Sequence, residues 1–557
     1  MWYFQAVALD LDGTLAEDNR LAESAMDAIK ATSGELRMIL VTGRTSADLE
    51  AAFPGLGSHF DAVVTENGAV LHTRSGLRPL ASPLDRAVGP ALADRGIATR
   101  PGHVMLALDG QDAAAAVDVI TGLGLDCQVV HNRGAAMIVP AGVTKGTGLL
   151  AALDELGLSA HNAIAVGDAE NDLALLHAAE VGVAVAGALP SVAAQADLQL
   201  RSRDGAGVAE LLTGQLLTGH RRICPERRWL QVGTLDDGQP VLVPGSQGSI
   251  LIAGDTGAGA SYLAGLLAER WIDGGYAVLV IDPEGDYVGL AERPGVLLVD
   301  AAAHLPSPTD LLAIARPGRV SLVLDLSGLP HAERSRYLRR LRKAVATERA
   351  GHGIPHWLIT DETHLAPRAG AVRPSGAGLA EPGTCVVTRR ADALTAAFRD
   401  SVELTLATTP PPAAADAPMP VSRATISAAG QPPRPFTVAH RVSPHTRQHK
   451  QIATALPPHR RFYFHTRGET DGERVTAATL EEFNRHIRDC GLATLDYHLS
   501  RGEFSRWVTG ILADHSLGTV LAAIERDHGI RHAADLERAR HRVIHAIDSR
   551  YPGMEET

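Results

Sequence analysis
A chain of 557 residues is too long for one hydrophobic core and implies about three or four domains. The net charge of -12 counts against a general binder of nucleic acid or membrane surfaces, although a local basic patch is compatible with it. Cys127, Cys224, Cys385 and Cys490 lie far apart without a CxxC pair, which counts against a disulfide framework or a zinc site and fits a reducing cytoplasm. No apolar run is long enough to span a bilayer, and the start lacks the charged-then-apolar pattern of a secretory signal, so a cytoplasmic protein is expected.

Phe4 to Leu11 reads as a strand buried on both faces, closing on Asp10-Leu11-Asp12-Gly13-Thr14. Arg37 to Val41 is a second strand, ending at Thr42-Gly43-Arg44, and Ala62 to Val64 a third, ending at Thr65-Glu66-Asn67-Gly68. Alternation of strand and helix patterns predicts a doubly wound parallel sheet. Residues 83–142 break the pattern. A helix over Leu84 to Asp94, a strand over Val104 to Leu108 and a helix over Asp112 to Leu123 precede two strands that flank a turn at His131-Asn132-Arg133-Gly134. The parallel pattern resumes at Lys145 and ends a strand at Gly167-Asp168-Ala169-Glu170-Asn171-Asp172.

A basic linker near 213–228 leads to a second α/β unit, 229–440, with a Pro/Ala-rich loop at 410–420. Its strand Ser249 to Ala253 runs into Gly254-Asp255-Thr256-Gly257-Ala258-Gly259-Ala260-Ser261 and then a helix. Residues 460–557 are mainly helical, with Thr479 and Glu482 at capping-box spacing. The interleaved run His459-Arg460-Arg461-Phe462-Tyr463-Phe464-His465 is compatible with contact to a nucleic acid or anionic ligand, and its alternating apolar positions favour a half-buried edge strand.

The chemistry-bearing residues of the first unit sit at strand ends and helix openings. Asp10 is placed to act as a nucleophile, and Asp12, two residues on, to protonate a leaving oxygen and later activate water. Thr42 and the Gly43 amide are placed to hold phosphoryl oxygens, and Lys145 to bridge nucleophile and phosphate. Crowded carboxylates facing an anion need a cation; Asp168, with Asn171 or Asp172 behind it, offers oxygens of the kind magnesium takes.

These motifs, in this order, resemble the haloacid dehalogenase (HAD) superfamily over about residues 1–213. The resemblance implies a Rossmann-like core over 1–82 and 143–213, with 83–142 as a type IIB (Cof-like) cap; the Glu66-Asn67-Gly68 turn is similar to that branch. It further implies a Mg²⁺ site formed by Asp10, the backbone carbonyl of Asp12 and Asp168. The second Asp, Asp12, favours a phosphatase over a dehalogenase. The short cap resembles those of phosphoglycolate and sugar-phosphate phosphatases, and His131, Asn132 and Arg133 are its candidates for touching the substrate's far end.

The second unit resembles the HerA/FtsK-type P-loop ATPases. Gly254, Gly257, Gly259 and Ser261 fit the phosphate loop, and Asp361 and Glu362 the later metal and catalytic acids. Ala260 stands where the loop lysine belongs, so the expectation is a degenerate site with tight ATP binding in doubt. The expected fold is therefore α/β, with a capped Rossmann-like sheet, a second P-loop-type domain and a helical C-terminal domain. The expected function is a Mg²⁺-dependent phosphatase acting on a small phosphorylated metabolite. The alternative is a nucleotide- or DNA-associated protein that assembles into a ring of its own copies through the second unit, with the first accessory.

Overall fold
The computed structural model describes residues 3–132, 134–254, 259–316, 320–361, 380–388, 391–408, 423–443, 456, 458–465, 475–512, 515–527 and 533–550. The first unit is built on an eight-stranded sheet. Its parallel part runs Leu198–Gln199, Val181–Ala184, Ala163–Gly167, Ala6–Asp10, Arg37–Val41, Ala62–Thr65, and an antiparallel pair, Val70–Thr73 and Gly76–Pro79, extends one edge.

The period of two explains the unbroken apolar runs. Val7 and Leu9 enter one buried cluster, and Ala6 and Ala8 enter another on the opposite face. Met38 and Leu40 divide from Ile39 and Val41 in the same way. Helices Glu23–Thr32 and Asp204–Leu212 cover the first face through Ile29, Val208 and Leu211, and helix Lys145–Glu155 covers the second through Leu149 and Leu153.

The insert is a four-stranded antiparallel sheet, ordered Cys127–Asn132, Ala135–Pro140, Leu106–Asp109, Arg100–Pro101, with helices Val88–Ala93 and Ala113–Leu123. Two expected elements come out shorter. The first helix begins at Val88 rather than Leu84; Pro90 has no amide hydrogen and its ring is tolerated only in a first turn. The strand expected from Val104 begins at Leu106, because the Val104 and Met105 amides donate to the Glu66 carboxylate instead of to a neighbouring strand (2.8 and 3.1 Å).

The second unit has an eleven-stranded sheet. Its parallel centre includes Leu404–Thr408, Ser249–Gly254, Thr384–Thr388, Trp357–Asp361 and Val278–Asp282. Helix Ala260–Asp273 packs on it, with Trp271 stacked on Trp357 at 3.8 Å between centroids. The two sheets meet by the ends at which their parallel strands begin. Asn162, just before the Ala163 strand, donates to the Gly353 carbonyl (3.1 Å), and its Oδ1 lies 3.0 Å from His356 Nε2, just before the Trp357 strand. Glu180, just before the Val181 strand, accepts from Ser246 and from the Tyr276 hydroxyl. The strand ends that carry the motifs therefore face away from each other.

Helices Leu480–Asp489, Leu492–Leu499, Glu503–Gly510, His515–Arg526 and Ala533–Arg550 form the C-terminal region. Its core gathers Phe462, Phe464, Phe483, Phe504 and Trp507. Phe462–Tyr463 pairs with Thr476–Ala477 as a short strand. Thr479 caps its helix by accepting from the Glu482 amide (3.1 Å). Among the described residues, no helix is long and apolar enough to cross a membrane.

Candidate active site
Asp10 is the last residue of the central strand, and Gly13, at φ 90°, turns the chain back beneath it. Helix Lys145–Glu155 opens beside that strand end, capped by Thr144, and carries a fully buried lysine. Lys145 Nζ donates to Asp10 Oδ1 at 2.5 Å and to Asp172 Oδ1 at 2.6 Å. Asp172 Oδ2 accepts from the Asp168 and Ala169 amides, both at 3.0 Å, which folds the 168–172 loop around the lysine. Thr14 donates to Asp168 Oδ1 (3.1 Å) and ties that loop to the turn after Asp10.

Carboxylate oxygens of Asp10, Asp168 and Asp172 lie within 4.8 Å of one another, and all three residues are buried. Asn171 gives its amide to Asn67 Oδ1 (3.3 Å), while its own Oδ1 is buried without a hydrogen-bond partner. Burial pushes Asp10 well above the usual carboxylate range, and the neighbouring Asp172 adds to the rise although Lys145 opposes it. Burial pulls Lys145 down, but the charges of Asp10 and Asp172 more than offset this and hold it above its ordinary value. The site is an anionic cluster with one buried cation inside it.

Thr42 is fully buried at the end of the Arg37–Val41 strand, and its hydroxyl accepts from the Arg44 amide (3.2 Å). The cap lies directly above this turn. A Cβ at Gly43 would stand 3.1 Å from Met137 Sδ and 3.6 Å from the Asn132 amide nitrogen. A cavity of about 630 Å³ separates core from cap, bounded by Asp12, Gly43 and Arg44 below and by Arg100, Asn132 and Met137 above. Asn132 faces it; His131, next along the strand, is exposed and does not line it. Arg133 lies outside the described residues.

Three residues here carry roles that the sequence did not assign, although Arg44 and Glu66 stand within its motifs. Arg44 binds both oxygens of Asp12, Nε to Oδ2 at 2.9 Å and Nη2 to Oδ1 at 2.5 Å. Arg100 reaches the cavity from the cap. Glu66, fully buried, accepts the amides of His103, Val104 and Met105 and so pins the cap to the core. Arg44 follows the Thr42-Gly43 motif directly, which was a signal; nothing local marks Arg100.

In the second unit, Gly254 ends its strand so close to Thr408 that a Cβ would lie 2.0 Å from the hydroxyl, and Gly259 takes φ 91° before Ala260 opens the helix. The Tyr287 hydroxyl donates to Asp361 Oδ2 at 2.8 Å. Gly257, Glu362 and the 410–420 loop lie outside the described residues.

Fold and strand-end carboxylates together define the first unit as a capped Rossmann-like domain with an acidic site at its strand ends. Segments 7–88 and 120–212 match the haloacid dehalogenase-like hydrolase family, and residues 231–350 match the central domain of the helicase HerA. A phosphoglycolate phosphatase of Saccharolobus solfataricus is 31% identical over 222 residues, which are 38% of this chain and 93% of that protein. One from Methanothermobacter thermautotrophicus is 30% identical over 220 residues, 37% of this chain and 96% of that protein. A solved haloacid dehalogenase-like hydrolase from Bacteroides thetaiotaomicron is 19% identical, covering 38% of this chain and 98% of its own, with a TM-score of 0.32. The chain belongs to the haloacid dehalogenase-like hydrolase family, as a phosphatase fused to a HerA-type central domain.

Proposed function
We propose that the protein is a cytosolic, Mg²⁺-dependent phosphatase that hydrolyses a small phosphorylated metabolite, phosphoglycolate-like or sugar-phosphate-like, through an aspartyl-phosphate. The observation that carries this is the buried Asp10–Lys145–Asp172 contact, whose Asp10 stands two residues along the chain from Asp12, which lines the cavity under the cap. The donor set fits a hard cation: clustered carboxylate oxygens of Asp10 and Asp168, together with a buried Asn171 Oδ1 that has no hydrogen-bond partner. Asp172 has both oxygens committed to Lys145 and the loop amides, so it is a positioning residue and Asn171 the better fourth ligand, beside the Asp12 carbonyl. When bound, Mg²⁺ offsets the negative charge of the carboxylates and the phosphoryl oxygens.

Asp10 attacks phosphorus, the bond to the ester oxygen breaks, and Asp12 gives that oxygen its proton. Water then attacks the aspartyl-phosphate, Asp12 takes the water's proton, and inorganic phosphate leaves. Lys145 fixes the attacking carboxylate, and Thr42 with the Gly43 amide holds the phosphoryl oxygens. The test is a screen of phosphorylated metabolites with Mg²⁺. Asp10→Asn should lower turnover by at least about 10⁴-fold in a protein that still melts cooperatively. Activity surviving that substitution overturns the mechanism.

The HerA match favours a second, compatible role: self-association into a ring, with the nucleotide site degenerate at Ala260. Native mass measurement tests it, and a monomer at micromolar concentration would remove it.

A further inference from the structure
Resting on the phosphatase function above, we propose that Arg44 couples substrate choice to the release of Asp12. The preferred substrate is then a phosphomonoester with a carboxylate one or two carbons from the ester oxygen. Asp12 has to reach the leaving oxygen, yet Arg44 covers both of its carboxylate oxygens in a two-point contact. The pair is not a solvated surface bridge: side-chain exposure is 22% for Arg44 and 29% for Asp12. Phe53 lies under the guanidinium at 5.2 Å, and Asn19 Oδ1 accepts from Nη2 at 2.6 Å. As long as this contact holds, Asp12 is turned away from its work.

A second anion in the cavity changes the balance. Arg44 Nη1 makes no hydrogen bond among the described residues, so its two N–H groups are available to an incoming carboxylate. Arg100 makes no ion pair among the described residues and lines the same cavity from one edge strand of the cap sheet, while Asn132 lines it from the opposite edge strand. A carboxylate bound there competes with Asp12 for Arg44 and draws the guanidinium off it. Because Arg44 touches the carboxylate that serves the ester oxygen, the competing group has to lie near that oxygen. A short phosphorylated hydroxy acid meets this condition. A neutral ester, or a sugar phosphate without a carboxylate, leaves Asp12 paired. Selection should then appear in kcat and not only in KM.

The experiment compares 2-phosphoglycolate with ethyl phosphate, each with Mg²⁺, in the full chain. Wild type should prefer phosphoglycolate by about 100-fold in kcat/KM, with a large part of the gap in kcat. Arg44→Gln should lower that ratio at least about tenfold and raise kcat on ethyl phosphate, since Asp12 is no longer held. Arg44→Lys keeps the charge without the fork and should fall between; its ratio is decisive if the Gln variant does not fold. A wild-type ratio near one, or equal losses on both esters in the Arg44 variants, overturns the proposal and leaves the phosphatase function standing. Turnover of neither ester, nor of any phosphorylated metabolite in the screen, overturns both.

Discussion
The two α/β units place carboxylates at the same position, the C-terminal ends of parallel strands, and differ in the positive charge they provide. In the first, Asp10 and Asp172 share the buried Lys145. In the second, Asp361 is met by the Tyr287 hydroxyl, and residue 260 is alanine. Burial pushes Asp282, at the end of the strand that pairs directly with the one ending at Asp361, up to about 7, although the Tyr287 and Asp286 amides oppose the rise. Hydroxyls and amides can satisfy a buried carboxylate, but they bring no net charge with which to hold a triphosphate.

Lysine is rare throughout the chain. There are four, Lys30, Lys145, Lys343 and Lys450, against a combined Lys and Arg count of 52. Arginine serves nearly everywhere else. At 145 the cation is fully buried and must fit between two carboxylates at 2.5 and 2.6 Å, where a compact ammonium succeeds and a planar fork does not.

The strongest way to break the comparison is at that residue. Lys145→Met should destabilise the protein by about 3 kcal/mol, by leaving two buried carboxylates uncompensated, and should lower kcat by at least about 10³-fold. Lys145→Arg should lose nearly as much turnover despite keeping the charge. Thermal melts and initial rates measure both; near-wild-type activity in Lys145→Arg would show that charge alone suffices. A smaller effect is expected from supplying the missing charge to the second unit. Ala260→Lys should tighten ATP binding by about 10- to 100-fold, read by calorimetry, without altering phosphatase rates. Unchanged ATP affinity would show that the pocket is closed by more than one missing charge, with the Tyr287 contact on Asp361 as the first suspect.

Much of the first unit was legible because its signals are local. A strand buried on both faces reads as an apolar run, and each motif sits within a few residues of a strand end or helix opening. Contacts between distant segments were not legible. Arg44 meets Asp12 across 32 residues, and Glu66 meets the Met105 amide across 39. The candidates in the cap hairpin illustrate the limit: His131 and Asn132 are adjacent and equally polar, and only the strand register puts Asn132 over the cavity and His131 in solvent. The seam between the units was invisible for the same reason, since His161, Asn162, Glu180, Tyr276 and His356 carry no shared motif.

That seam supplies the mildest test, because it decides whether the two sites behave as parts of one body. His356 is fully buried; it accepts from the Ala277 amide through Nδ1 (2.8 Å) and faces Asn162 Oδ1 through Nε2. Protonating Nδ1 would sacrifice the amide bond and set a charge beside His161 and Arg349. Burial, with those two neighbours adding to it, holds His356 well below its ordinary value of 6.5. Glu180 lies below its ordinary 4.5: burial alone would raise it, but contacts from His161, Arg228 and Ser246 outweigh that. Both folded values are depressed, so in both cases the unfolded chain takes up the proton first. The stabilisation is complete above pH 6.5, declines below it as unfolded His356 protonates, and declines further below pH 4.5 through Glu180. The slope from His356 alone is about 1.4 kcal/mol per pH unit. Melting temperatures between pH 8 and 5 should therefore fall less steeply in His356→Gln than in wild type. Identical slopes would mean that the histidine titrates without being coupled to the docking of the two units.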